Sequence, residues 1–292
     1  MAEPTDFYID GRWVAPLGGS PLDVIDPSDE SVTSTISLGS AADVDRAGHA
    51  ARAAFGSWGA TSPTRRAELL STLAEVYAER RSEMARTISA EMGAPIDMAD
   101  RAQAGAGIHH LKGFVRALGQ MEFDRPLRDD RPEHRIYLEP VGVAALITPW
   151  NWPMNQVTLK VGAALAAGCT MVLKPSEIAP LSSMLFAEFV DAAGFPPGVF
   201  NLVNGDGAGV GAALTSHPDV DVVSFTGSTR AGTAVTKAAA DSVKRVSLEL
   251  GGKSPNLVFG DSDVVVAVRR GAEHCFDNTG QSCHAPTRRI VE

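Results

Sequence analysis

Val141-Gly142-Val143-Ala144-Ala145-Leu146-Ile147-Thr148 is an apolar run of strand length that stops against Pro149. Similar runs recur downstream at 171–174, 199–203, 220–226, 246–250 and 256–259. Helical patterns at 154–167, 180–193, 209–216 and 231–241 lie between them. Parallel strands need crossover connections, so this alternation predicts an α/β fold with a parallel sheet flanked by helices. Such sheets bind ligands at the carboxyl ends of their strands, and this sequence puts its unusual residues there.

Upstream, the first forty residues are short strand-like pieces broken by Gly and Pro. Segments 41–58, 63–91 and 95–120 then carry apolar residues at three- and four-residue spacing, as in Leu69, Leu70, Leu73, Val76 and Tyr77. Gly93 separates the second helix from the third. Residues 125–139, rich in charge and proline, predict an exposed ribbon, either a subunit contact or a solvated hairpin.

Bulk composition narrows the function. The 292 residues are 44% hydrophobic and 21% charged, ordinary for a soluble chain able to bury a core. A net charge of −9 with no basic run argues against nucleic acid or an anionic membrane as the main partner. The longest apolar stretches are too short for a bilayer, and the first ten residues lack a signal-peptide pattern. Cys169, Cys275 and Cys283 are too few for a disulfide framework, which points to a reducing cytoplasm.

The strand ends carry the chemistry. Pro149-Trp150-Asn151-Trp152-Pro153 presents one amide on a stiff turn, a candidate oxyanion donor or simply a Trp-packed corner. Lys174-Pro175-Ser176-Glu177 sets a cation three residues from a carboxylate, a spacing suited to ribose hydroxyls and equally to a solvated loop. Thr226-Gly227-Ser228 closes a strand-to-helix turn whose amides favour phosphate. The strict G-x-G-x-x-G fingerprint is absent, since Gly205, Gly207, Gly209 and Gly211 are misspaced, and Gly252-Lys253-Ser254 lacks the upstream glycine of a P-loop. Glu249, beside Gly251-Gly252, is a candidate general base or an ordinary ion-paired carboxylate. Cys283 lies in the polar run Asn278-Thr279-Gly280-Gln281-Ser282-Cys283, a better setting for a nucleophile than the apolar surroundings of Cys169 and Cys275.

Taken in order, these segments resemble the aldehyde dehydrogenase superfamily along essentially the whole chain. The resemblance starts at Ile9-Asp10-Gly11-Arg12-Trp13 and runs through the Asn151, Lys174 and Ser228 motifs. It continues in Leu248-Glu249-Leu250-Gly251-Gly252-Lys253-Ser254-Pro255 and Gly280-Gln281-Ser282-Cys283-His284-Ala285-Pro286-Thr287-Arg288. It implies a Rossmann-like NAD-binding domain from 1–122 and 143–249, an exposed oligomerisation arm at 123–142, and the start of a catalytic domain at 250–292. Cys283 would be the nucleophile, Glu249 the base, and Asn151 with the Cys283 amide the oxyanion site. Thr148, Pro149, Trp150, Lys174, Ser176, Glu177, Gly207, Gly211, Phe225, Thr226, Gly227, Ser228, Leu250 and Gly251 would line the cofactor. That cofactor is NAD, with NADP as the alternative, because Glu177 would repel a 2′-phosphate. An aldehyde is the implied substrate, and a homodimer or homotetramer the implied assembly of the full-length form.

Two departures from the family pattern stand out. His284 follows the nucleophile where a small or aliphatic residue is usual, and a neutral effect is expected of it. The eight-residue spacing of Cys275 and Cys283 does not suit zinc, so no metal is expected. The chain also stops nine residues after Cys283, so the expectation is a truncated, inactive form. The competing reading is a non-catalytic nucleotide-binding or interaction fragment. A CoA-acylating relative ranks below both, because that branch generally lacks the carboxylate found here at Glu249.

Overall fold

The computed structural model of the chain describes residues 3–292. Two short strands, β1 (Phe7–Ile9) and β2 (Arg12–Val14), are followed by the hairpin β3 (Ser20–Ile25) and β4 (Val32–Leu38). A helical block comes next, beginning with α1 (Ala41–Gly59), α2 (Pro63–Glu79) and α3 (Arg81–Met92). The sequence sets two of these starts. Asp43 accepts from the Ser40 amide and hydroxyl at 2.8 and 2.7 Å ahead of α1, and α2 opens with Ser62 as cap and Pro63 in its first turn.

The single helix predicted over 63–91 is broken at Arg80, whose backbone leaves helical geometry at φ −103° and ψ 17°. No glycine or proline marks this break; tertiary partners make it. The Arg80 guanidinium bonds Glu83 and Glu188, at 2.7 and 2.8 Å, and lies 4.8 Å over the Phe189 ring. The segment predicted over 95–120 is also divided, into α4 (Ile96–Met98), a π-helical turn at Ala99–Ala104, and α5 (Gly105–Leu118). At that turn Arg81 holds both the carbonyl and the carboxylate of Asp100, and Gln103 is wholly buried.

Strands β5 (Asp124–Arg128) and β6 (Arg131–Tyr137) pair antiparallel as a ribbon in which only Ile136 is not exposed. The alternating part then follows: β7 (Val143–Ile147), α6 (Pro153–Ala167), β8 (Thr170–Lys174), α7 (Leu181–Ala192) and β9 (Phe200–Leu202). It continues with α8 (Ala212–Ser216), β10 (Val222–Gly227), α9 (Thr229–Ala240) and β11 (Arg245–Leu250). The main sheet has the order β11-β10-β7-β8-β9-β1-β2, parallel from β11 to β9, with β1 antiparallel on β9. The expected parallel α/β sheet is therefore present. Its first central strand starts at Val143 because Gly142, at φ 133°, turns against Asp221, whose carboxylate accepts the Val143 amide at 2.7 Å.

Each face of β7 is packed. Ala144 and Leu146 join one core with α2, α5, α6 and α7, while Val143, Ala145 and Ile147 join another with α1, α8 and α9. A separate parallel pair, β12 (Pro255–Val258) and β13 (Arg288–Val291), is linked through α10 (Val264–Phe276). Leu257, Phe259, Val264, Val265, Phe276, Ile290 and Val291 stand exposed on this unit. Among the described residues no helix is long and apolar enough to cross a membrane.

Helix α5 approaches α2 at a point where only glycine fits. A Cβ on Gly107 would lie 2.6 Å from the Tyr77 ring, itself fully buried between Phe186 and Phe189. Replacing a helical glycine by alanine ordinarily stabilises by about 1 kcal/mol. Overpacking against a fixed ring costs about 1–3 kcal/mol and outweighs that gain. Gly107→Ala is therefore expected to lower the urea unfolding midpoint; an unchanged or raised midpoint would show that Tyr77 yields freely.

Candidate active site

The carboxyl ends of β7, β8, β10 and β11 share one edge of the sheet. Beyond β7, Thr148 is buried and its amide donates to the Lys174 carbonyl, which ties the first loop to the second strand end. The chain then turns through Pro149, Trp150 and Asn151, with Trp150 packed on the larger core. Facing this turn is the loop after α10, where Asn278 and Thr279 adopt φ values of 51° and 59°. Non-glycine residues hold such values only when neighbours fix them, and these neighbours are visible. The Asn278 amide donates to the Asn151 carbonyl at 2.8 Å, the Asn151 amide to the Gln281 carbonyl at 2.7 Å, and the Trp152 indole to Ser282 Oγ at 2.9 Å. Gln103 Nε2 also donates to the Asn151 carbonyl, at 3.2 Å, so the π-helical turn braces the same point.

The result is an open cleft of about 570 Å³ whose walls include Trp150, Asn151, Ser228, Gly251, Lys253, Cys283 and Arg288. Cys283 is exposed there, whereas Cys169 is buried and Cys275 partly so. One Asn151 amide proton is taken by Gln281, which leaves the other for a ligand. Asn151 and Cys283 are thus brought together.

Glu249 is not brought into that cleft. Along β11, Val246, Leu248 and Leu250 pack inward, so the period of two turns Ser247 and Glu249 to the other face. There Glu249 lines a second cleft, of about 580 Å³, with Gln156, Lys160 and Ser224. Lys160 is a residue that the sequence reading missed. Its Nζ donates to Ser224 Oγ at 2.8 Å, and burial lowers its pKa to about 8, opposed by the charge of Glu249. The available signal was that Lys160 is the one charged residue of α6.

At the end of β8, Lys174 is buried and donates to the Pro175 carbonyl at 2.6 Å and to Glu177 at 3.1 Å. Burial lowers its pKa, with Glu177 and Asp206 opposing. Two of its three protons are spoken for, and one remains for a hydroxyl. Ser176 is buried and its Oγ accepts the Ile178 amide. Gly207–Gly211 is a π-helical turn capped by Asp206; a Cβ on Gly207 would meet no atom within 4 Å, and Gly211 abuts the Lys174 side chain.

At the end of β10, Phe225 is buried beneath Gly227, where a Cβ would strike its ring at 2.5 Å. Thr226 bonds Gln156 at 3.1 Å, and Ser228 caps α9 through the Ala231 amide. Gly232 allows α9 to approach Leu250. No group of three or more His, Cys, Asp or Glu among the described residues is arranged to hold a metal ion.

Residues 13–292 match the pattern of the aldehyde dehydrogenase family. The chain is 52% identical over its whole length to a 3-succinoylsemialdehyde-pyridine dehydrogenase of a Pseudomonas species, of which it covers 60%. Among solved structures, an aldehyde dehydrogenase from Bartonella henselae superposes with a TM-score of 0.97 at 54% identity, covering 100% of this chain and 61% of that one. A cysteine-to-alanine mutant of aldehyde dehydrogenase C from Pseudomonas syringae, complexed with NAD+ and octanal, superposes at 0.96 with 51% identity, covering 99% of this chain and 59% of that one. The chain thus spans about 60% of the length of the relatives it matches. It belongs to the aldehyde dehydrogenase family.

Proposed function

We propose that this chain carries the cofactor edge and the nucleophile of an enzyme that oxidises an aldehyde to a carboxylic acid with NAD+. The observation that carries the reading is the shared cleft of Cys283, Asn151, Ser228 and Gly251 at the strand ends. The Cys283 thiolate attacks the carbonyl carbon, and the free Asn151 amide proton meets the oxygen of the resulting thiohemiacetal. Bound NAD+ supplies the hydride acceptor there. Collapse of the oxyanion leaves a thioester on Cys283, and a water deprotonated by Glu249 releases the acid. Reaching the thioester requires Glu249 to rotate out of the Lys160 cleft.

Lys174 and Glu177 hold the adenosine ribose, and the Ser228 turn faces the pyrophosphate. The relative bound to NAD+ and octanal supports both ligand classes. The exposed β5–β6 ribbon, at the position of the anticipated arm, suits pairing in a homodimer or homotetramer. A cytoplasmic location rests on cysteine usage alone.

Two outcomes follow for a protein that includes the remaining length found in the relatives. NAD+ is expected to exceed NADP+ in kcat/KM, and Glu177→Ala to narrow that ratio about tenfold by removing the charge that opposes the 2′-phosphate. A native preference for NADP+ would overturn the assignment of Glu177. Cys283→Ala is expected to abolish NADH formation while Cys275→Ala keeps most of it; equal losses would point to paired thiols instead.

A further inference from the structure

The turn that presents the nucleophile also presents a base. The Ala285 amide donates to the Ser282 carbonyl at 3.1 Å, closing a β-turn with Cys283 and His284 at its two corners. Their side chains lie on one side, with Cys283 Sγ 3.9 Å from His284 Nδ1. The imidazole is propped from below by His274, near the end of α10, with ring centroids 5.4 Å apart and planes tilted by 51°. Lys253 and Arg288 are the charged side chains lining the cleft beside Cys283, and neither carries an acceptor lone pair. Glu249 lines the other cleft and reaches this one only by rotating, whereas His284 already lies beside the thiol.

We propose that His284 is the proton acceptor for the Cys283 thiol. This rests on Cys283 being the nucleophile and adds a catalytic residue to it. In its Nε2–H tautomer, His284 offers a lone pair at Nδ1. The S–H bond breaks, its proton moves to Nδ1, and the electron pair stays on sulfur. The imidazolium returns the proton to water through its exposed edge. The thiolate then forms its bond to carbon, either of a carbonyl, whose π pair moves to oxygen, or of an alkylating reagent, whose halide leaves. An imidazole lone pair beside a thiol raises the fraction present as reactive thiolate.

The test uses residues 1–292 and needs neither cofactor nor aldehyde, so its failure is separable from failure of the proposed oxidation. Iodoacetamide labelling is followed by peptide mass spectrometry at pH 7 and pH 9.5, comparing the native chain with His284→Asn, His284→Gln and His274→Ala. The buried Cys169 reports on folding, since its labelling stays slow in any folded variant. At pH 7 Cys283 is expected to label about fivefold more slowly in both His284 variants, with an intermediate loss in His274→Ala. At pH 9.5, where a thiol ionises unaided, the rates should converge. Equal rates at pH 7, or the same loss at both pH values, would overturn the proposal, the latter by showing altered access in place of lost basicity.

Discussion

The site depends on one exchange of hydrogen bonds across the cleft. Asn278 donates to the backbone of Asn151, and Asn151 donates in turn to the backbone of Gln281. With the Trp152 indole on Ser282, this makes three bonds worth about 1 kcal/mol each. Asn278 and Thr279 in left-handed geometry cost roughly 1–2 kcal/mol each. Bonds and strain nearly cancel, so the loop keeps its shape only while Asn151 is in place. Asn151 is thus both a candidate oxyanion donor and the post to which the Cys283 loop is tied.

That post is fixed because the strand leading to it is buried on both faces. β7 carries small and aliphatic residues throughout, so it sits centrally between β10 and β8 and lets helices cover both sides. The same sheet explains why the carboxylate and the thiol occupy different clefts. On β11 alternate residues point to opposite faces, and packing of Val246, Leu248 and Leu250 obliges Glu249 to turn away. That second cleft also holds Lys160, whose ammonium donates to Ser224 and whose pKa burial lowers to about 8.

Much of this was legible in the sequence. The short apolar runs and the crossover helices between them follow from periodicity, and the unusual residues were expected at the strand ends where they occur. Cys283 could be told from Cys169 and Cys275 by the polarity of its neighbours. What escaped were effects made by distant parts of the chain. The break at Arg80 has no local breaker residue and needs Glu188 and Phe189, while the π-helical turn, which ends at Gly105, coincides with the grip of Arg81 on Asp100. Glu249 was recognised as a candidate base, yet the cleft it faces follows from which side of β11 is packed. One lysine in an apolar helix reads as a solvent contact until its place in the cleft beside Glu249 is seen.

The central claim is that the Cys283 loop and the strand-end edge form one site within this chain. The most direct test is the labelling rate of Cys283 by iodoacetamide as NAD+ is titrated into residues 1–292, with Cys275 as internal reference. The account predicts that the Cys283 rate changes along a saturating curve whose midpoint matches calorimetric NAD+ binding, while Cys275 stays constant. Saturable NAD+ binding with no change at Cys283, or an equal change at both cysteines, would contradict it.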